Sequence, residues 1–265
     1  MYKSIQPLTF ERHGALRLAP SRGYDFAAQQ ALVPVVGAEI IKAAPAFPVV
    51  MVRVPGEEDA TLRMMGVLSV IPNRSFFIAP DGRWLGSYIP APLRSYPFVL
   101  LRSKEDSTQG VPCIDEGCPF LSKTDGQPLF TEDGQLSEVS RKAVQHLAAT
   151  EQNRMATERG LSLLDDLGLL APWAARVTVG SEEKALDSLL IVDEAKLNGL
   201  DDDAWLTLRR AGLFPLIYGH LLSLGRLDTL GGLSRLQGKL LSQQRAQPSL
   251  EEMLDLDEED TFNFD

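Results

Sequence analysis

The apolar residues of the first hundred positions come in runs no longer than a β-strand, and this limits the fold more than any other feature. Phe47 to Val52 and Pro97 to Leu101 are typical runs, set among Pro, Gly and acidic residues. Short apolar stretches rich in β-branched and aromatic residues read as strands, and the polar stretches between them as turns. Ala15-Leu16-Arg17-Leu18 alternates, with Leu16 and Leu18 on one face, and Leu62 to Val70 and Ser75 to Ala79 are further strands. Pro55 to Asp59 reads as a loop. Pro80-Asp81-Gly82 predicts a tight turn that leads into Arg83-Trp84-Leu85 as a hairpin, because Pro fixes φ and Gly tolerates positive φ. No run approaches the roughly 20 residues that cross a bilayer as a helix, so no membrane span is expected.

One pattern occurs twice. Glu39 to Arg53 and Tyr88 to Arg102 each hold a short turn or helix, an aromatic-Pro pair (Phe47-Pro48, Tyr96-Pro97), and an apolar strand ending in Arg. Proline disfavours helix in the residue before it, so each aromatic marks a strand entry. Residues 103–135 read as loop. From Ser137 to Leu167 the spacing turns helical, with Val139, Ala143 and Leu147 on one stripe and Gly168 and Pro172 as stops. Arg176 to Gly180 and Leu189 to Val192 are strand candidates for a small hairpin around Gly180 to Glu183. Asp201-Asp202-Asp203 caps a helix start. Phe214 to Leu224 and Arg226 to Leu241 are further helices, with Leu227, Leu230, Leu233, Leu236 and Leu240 on one stripe and Gly231-Gly232 marking a kink or boundary. The reading is an α+β fold: a β-rich, mainly antiparallel part at 1–135, packed with a mainly helical part at 136–242 that is free to share its core. An acidic, flexible and disordered tail follows at 243–265.

Charge is spread unevenly. Residues 1–112 hold 12 Lys/Arg against 9 Asp/Glu, whereas the last 16 residues hold eight acids and no Lys or Arg, in a chain of net charge −10. Such a tail repels phosphate, so nucleic acid is excluded as a partner and a basic protein surface is favoured. The start of the chain has no apolar segment of signal-peptide type, and two cysteines make no disulfide scaffold, so the expected compartment is the cytoplasm.

Several segments, taken in order, resemble the bacterial SapC family. They run from Pro7-Leu8 and His13 through Tyr24-Asp25-Phe26-Ala27, Val33-Pro34, Glu39 and Phe47-Pro48. The densest part is Pro80-Asp81-Gly82-Arg83-Trp84, Tyr88-Ile89-Pro90 and Arg94-Ser95-Tyr96-Pro97-Phe98. Cys113-Ile114-Asp115-Glu116, Leu129-Phe130, Asp133-Gly134 and Ile217 to Leu224 complete it, over roughly residues 5–230. The resemblance implies an association with bacterial surface layers, and as partners a flavin-dependent halogenase-like enzyme or a surface or receptor system. It implies no catalytic residues.

The residues themselves point to a non-enzymatic accessory protein that docks a protein or peptide. Trp84, Tyr88, Arg94 and Tyr96 gather around a hairpin and turn, and aromatics with Arg are the types that anchor interfaces. They are equally the makings of a β-domain core. In the tail, Ser249 and Glu252 form a capping-box pattern ahead of Leu250, Met253 and Leu254. Phe262 and Phe264 then sit among acids that would steer them to a basic partner. Cys113 and Cys118, with three scattered histidines, do not match a zinc site, and no nucleotide-binding loop occurs, so no metal or cofactor is expected. His220, on an apolar helix, reads as a hydrogen-bonded core residue. Two alternatives stay open: a surface-layer protein exported by an uncleaved C-terminal signal, and an enzyme using His13, with Glu39 or Asp115, or the Cys113–Glu116 loop.

Overall fold

The computed structural model describes residues 1–20, 23–55, 61–102, 110–179 and 182–246. The first half contains β1 (Ile5–Pro7), α1 (Phe10–His13), β2 (Arg17–Leu18), β3 (Leu32–Pro34), α2 (Ile40–Ala43), β4 (Val49–Val54) and β5 (Thr61–Val67). It continues with α3 (Ala91–Ser95), β6 (Phe98–Arg102), β7 (Gly110–Asp115), β8 (Leu121–Ser122) and β9 (Gln127–Pro128). The second half opens on α4 (Glu138–Asp166), followed by β10 (Leu170–Pro172), β11 (Arg176–Val179), β12 (Glu182–Ala185) and β13 (Leu190–Val192). Four helices close it: α5 (Glu194–Asn198), α6 (Asp202–Arg210), α7 (Phe214–Leu224) and α8 (Leu227–Ala246). The class is the α+β expected, with antiparallel sheets in the first half and helices dominating the second.

The main sheet has the order β10-β13-β4-β5-β3, antiparallel throughout. Its centre is the β4–β5 pair, in register from Val49↔Gly66 to Val54↔Thr61. Gly66 is required there: a Cβ would lie 2.5 Å from the fully buried ring of Phe47. Two strands of this sheet come from the second half, so the halves share one core that joins Phe47, Met51 and Met64 to Leu161, Leu164 and Ile217. His220 of α7 is fully buried beneath the sheet; it accepts from Val192 N–H at 3.0 Å and hydrogen-bonds Val49 C=O at 2.6 Å. One imidazole thus ties β13 to β4 in the neutral form, with hydrogen on Nδ1, and burial pushes its pKa down to about 4.

A second, smaller core gathers Phe98, Ile114, Leu129, Phe130 and Leu147 between the sheets β1-β7-β6 and β8-β2-β9. The 29-residue α4, capped by Ser137, extends about 43 Å at 1.5 Å per residue. It reaches both cores, giving Leu147 to the small one and Leu161 and Leu164 to the large one.

Several expectations need correction. Residues 103–135 are not all loop: Gly110-Val111-Pro112-Cys113 opens the central strand β7. Proline is tolerated there because β1 pairs only as far as Cys113, and the Pro112 carbonyl, facing that side, accepts from Leu8 N–H. Ser75 to Ala79 is no strand. It meets Trp84 through the single bridge Ile78↔Trp84, around a turn in which Gly82 has φ +82°. Leu190–Val192 does not pair with Arg176–Val179, whose partner is Glu182–Ala185, since its apolar side chains belong to the main sheet. Helix α8 runs unbroken through Gly231-Gly232 and past Gln243 to Ala246. It docks polar as well as apolar groups: Gln237 donates to Ser75 and Ile78 C=O and accepts from Arg74. Leu230 is buried, whereas Leu236 is exposed. The repeat is real as local structure, α2 then β4 and α3 then β6. The copies enter different sheets, and only Tyr96-Pro97 is cis among the described residues. Among the described residues no helix is long and apolar enough to cross a membrane.

Candidate functional site

After β3 the chain passes through Val35 and Val36 into a 3-10 turn at Gly37–Glu39, and α2 begins at once. This geometry buries a carboxylate. Glu39, with only 7% of its side chain exposed, accepts from Val36 N–H on one oxygen. Its other oxygen takes the Tyr88 hydroxyl at 2.5 Å, Ala91 N–H at 2.8 Å and Arg94 Nη2 at 3.4 Å. The pair is therefore satisfied in the way buried charges must be. Pro90 ahead of α3 and Pro92 within its first turn set this helix so that Ala91 N–H points at Glu39 and Arg94 follows one turn later. Trp84 Nε1–H holds the Tyr88 carbonyl at 3.0 Å, and the Arg94 guanidinium lies 5.6 Å from the Tyr88 ring centre. Tyr88's phenol is pushed up, first by burial and then by Glu39.

This cluster opens onto a cavity of about 210 Å³ bounded by α2, α3 and α4, with Lys42, Arg94, His146 and Asn153 in its walls. Glu39 is the one carboxylate in that lining, and both its oxygens are already engaged. The formal charge of the lining is therefore +1 with neutral His146, in a chain of −10. Arg94 is 43% exposed, and its Nε and Nη1 donate to no partner among the described residues. His146 is held below its ordinary pKa by burial first and by Arg94 second, and its Nε2 has no hydrogen-bond partner. The cavity is thus a cationic cleft with donors to spare.

Of the four body residues singled out in the sequence, Trp84, Tyr88 and Arg94 converge on Glu39, while Tyr96 lies elsewhere. Its ring stacks on Phe26 at 3.8 Å, and its hydroxyl donates to Asp115 at 3.2 Å. Trp84 and Tyr88 are half-buried against the main core, so Arg94 is the exposed member. Sequence reasoning missed Lys42, His146 and Asn153. They lie on helices whose approach to one another is set by tertiary packing, and His146 stood out only as one of three histidines.

The second polar centre is closed. Asp115, fully buried, is raised by burial, but N–H groups of Ser4, Lys3 and Gly117 with the Tyr96 hydroxyl outweigh this and hold it below the usual carboxylate range. His13 pairs with neither Glu39 nor Asp115. Its partner is Glu116 at 3.2 Å, a carboxylate also gripped by Arg12. The His13 side chain is fully buried, and burial pushes both thiols, Cys113 and Cys118, up and away from the reactive thiolate. Cys113 lies in strand β7 rather than in a loop. No group of three or more His, Cys, Asp or Glu suited to a metal exists among the described residues. Elsewhere, α2 and α7 leave Ile41 and Leu222 76% and 77% exposed around a shallow groove; Gly219 lets the helices touch, its Cβ position being 2.5 Å from Ile40. Leu250, Met253, Leu254, Phe262 and Phe264 lie outside the described residues.

No curated protein and no solved structure matches this chain. A model of the SapC family matches residues 8–230, a span that takes in every element from α1 to α7 and the whole Glu39–Arg94 cluster; the chain belongs to the SapC family.

Proposed function

We propose that this SapC-family chain is a non-enzymatic accessory protein that docks a protein or peptide partner, and that the cleft beside Glu39 receives an acidic side chain of that partner. The observation that carries this reading is the state of Arg94. Glu39 and the Tyr88 ring fix the guanidinium in place, yet Nε and Nη1 stay available for a carboxylate. Lys42 adds charge on the same side, in the lining of the same cleft. A non-enzymatic role is supported by the burial of His13 and both thiols. The acidic tail, with Leu250, Met253, Leu254, Phe262 and Phe264, serves as a second interaction element toward a basic surface. The reading sets the protein in the cytoplasm, with a halogenase-like enzyme or a surface or receptor system as the partners the family suggests.

The test is a titration of the full chain with a blocked tetrapeptide carrying two glutamates and with its glutamine counterpart, followed through the His146 ring signals. The glutamate peptide should give a saturable shift that Arg94→Gln abolishes and Lys42→Gln weakens severalfold. Equal responses to the two peptides, or an unchanged response in Arg94→Gln, would sink the proposal.

A further inference from the structure

The groove between α2 and α7, of about 500 Å³, is open to solvent, and its lining is almost wholly apolar. The small residues Ala44 and Gly219 lie there with the protruding Ile41 and Leu222, and with Pro45 and Pro215, whose rings hold φ fixed. Apart from Ile41 and Leu222, no large apolar side chain among the described residues is more than half exposed. Apolar area left this bare on one surface marks a place where something docks.

Charge and chain length together identify what docks. Arg226 is the charged member of the lining, which holds no carboxylate. Its side chain is exposed and makes no ion pair among the described residues. The matching occupant is an apolar side chain set among acids, and this chain carries one: Phe262 and Phe264 directly follow Asp257-Glu258-Glu259-Asp260. Reach then selects these residues over the other apolar ones of the tail. Arg226 immediately precedes α8, so the end of that 20-residue helix, Ala246, lies about 30 Å from the groove at 1.5 Å per residue. Leu250, four residues beyond Ala246, reaches back at most about 13 Å, whereas Phe262, sixteen beyond, reaches up to about 53 Å.

We propose that Phe262 and Phe264 seat in the α2–α7 groove of their own chain, with the acids at 257–260 toward Arg226, and that a partner must displace them to take the tail. The tether makes the contact intramolecular, at an effective concentration that a free peptide reaches only in the millimolar range. This goes beyond the cleft reading and does not depend on it, since the groove and the cleft have no lining residue in common.

The test follows the full chain by NMR, through the methyls of Ile41 and Leu222 and the rings of Phe262 and Phe264. Nuclear Overhauser contacts should join these rings to these methyls, and a mixture of labelled and unlabelled chains should show them within one chain. A blocked peptide of residues 255–265, added to the Phe262→Ala/Phe264→Ala chain, should shift the same methyls saturably. The wild-type chain, its groove already filled, should bind that peptide roughly fivefold or more weakly. Leu222→Asp should abolish peptide binding and Arg226→Gln weaken it severalfold, with the response of the cleft to the glutamate tetrapeptide unchanged; thermal unfolding checks that each variant keeps the fold. The proposal is overturned by equal peptide affinity in the wild type and the double variant, or by no binding to either. Contacts that join only different chains, or Phe rings that contact His146 of the cleft instead, would overturn it too.

Discussion

A buried imidazole fixed at both nitrogens is held strongly to one protonation state, and His220 is such a residue. Protonating Nε2 would set a donor against Val192 N–H, so the fold disfavours the charged form. The folded pKa, about 4, lies below the ordinary value of 6.5, and the unfolded chain therefore binds the proton first. Stability from this group is fully present above about pH 6.5 and is lost as pH falls toward 4, at a limiting slope of about 1.4 kcal/mol per unit. Chemical denaturation between pH 7 and 4 should show this loss, and it should be reduced in His220→Gln against that variant's own lower baseline. Its role was legible in the sequence because His220 falls on an apolar helical stripe, where neutral and hydrogen-bonded is the natural state. The His13–Glu116 pair was not legible, because it depends on how α1 lies against the end of β7. Glu39 stood out through family resemblance and as an acid–base partner for His13, a pair that does not form; nothing in Gly37-Ala38-Glu39 announces that Tyr88 and Arg94, some fifty residues on, will close over it.

At the scale of elements, legibility followed local signals. Helices α4, α6 and α7 were readable from their spacing, with Gly168 and Pro172 stopping the first and Asp201-Asp202-Asp203 starting the second, and that cap forms as expected, with Asp201 accepting from Ala204 N–H at 2.8 Å. Strand β7 was hidden by its own glycine and proline, which signal turns when read without a partner strand. Gly66 shows how a tertiary contact sets a residue that propensity would not choose for a strand. Gly66→Ala should destabilise by about 1–3 kcal/mol, because the new Cβ meets a Phe47 ring with no room to retreat. A thermal or urea unfolding comparison checks this, and a change near zero would mean that the β4–β5 pair relaxes freely.

For the whole molecule, what the sequence left open was strand order. Residues 170–172 and 190–192 complete a sheet begun at residues 32–34, and no periodicity in a short strand names its neighbour. That closure matters for the candidate site. Because α4 packs on both the main sheet and β6, it holds His146, Thr150 and Asn153 against the Glu39 turn, and so builds a basic cleft into a chain dominated by acids. The central claim is that another polypeptide places a carboxylate in this cleft. Carbodiimide crosslinking in native cells tests it most directly, since the reagent joins an amine to a carboxylate only where the two already touch. The expected product, read by mass spectrometry, is an amide between Lys42 Nζ and an Asp or Glu of a different protein, lost in Arg94→Gln. Crosslinks from Lys42 that reach only this chain, or that persist unchanged in Arg94→Gln, would contradict it.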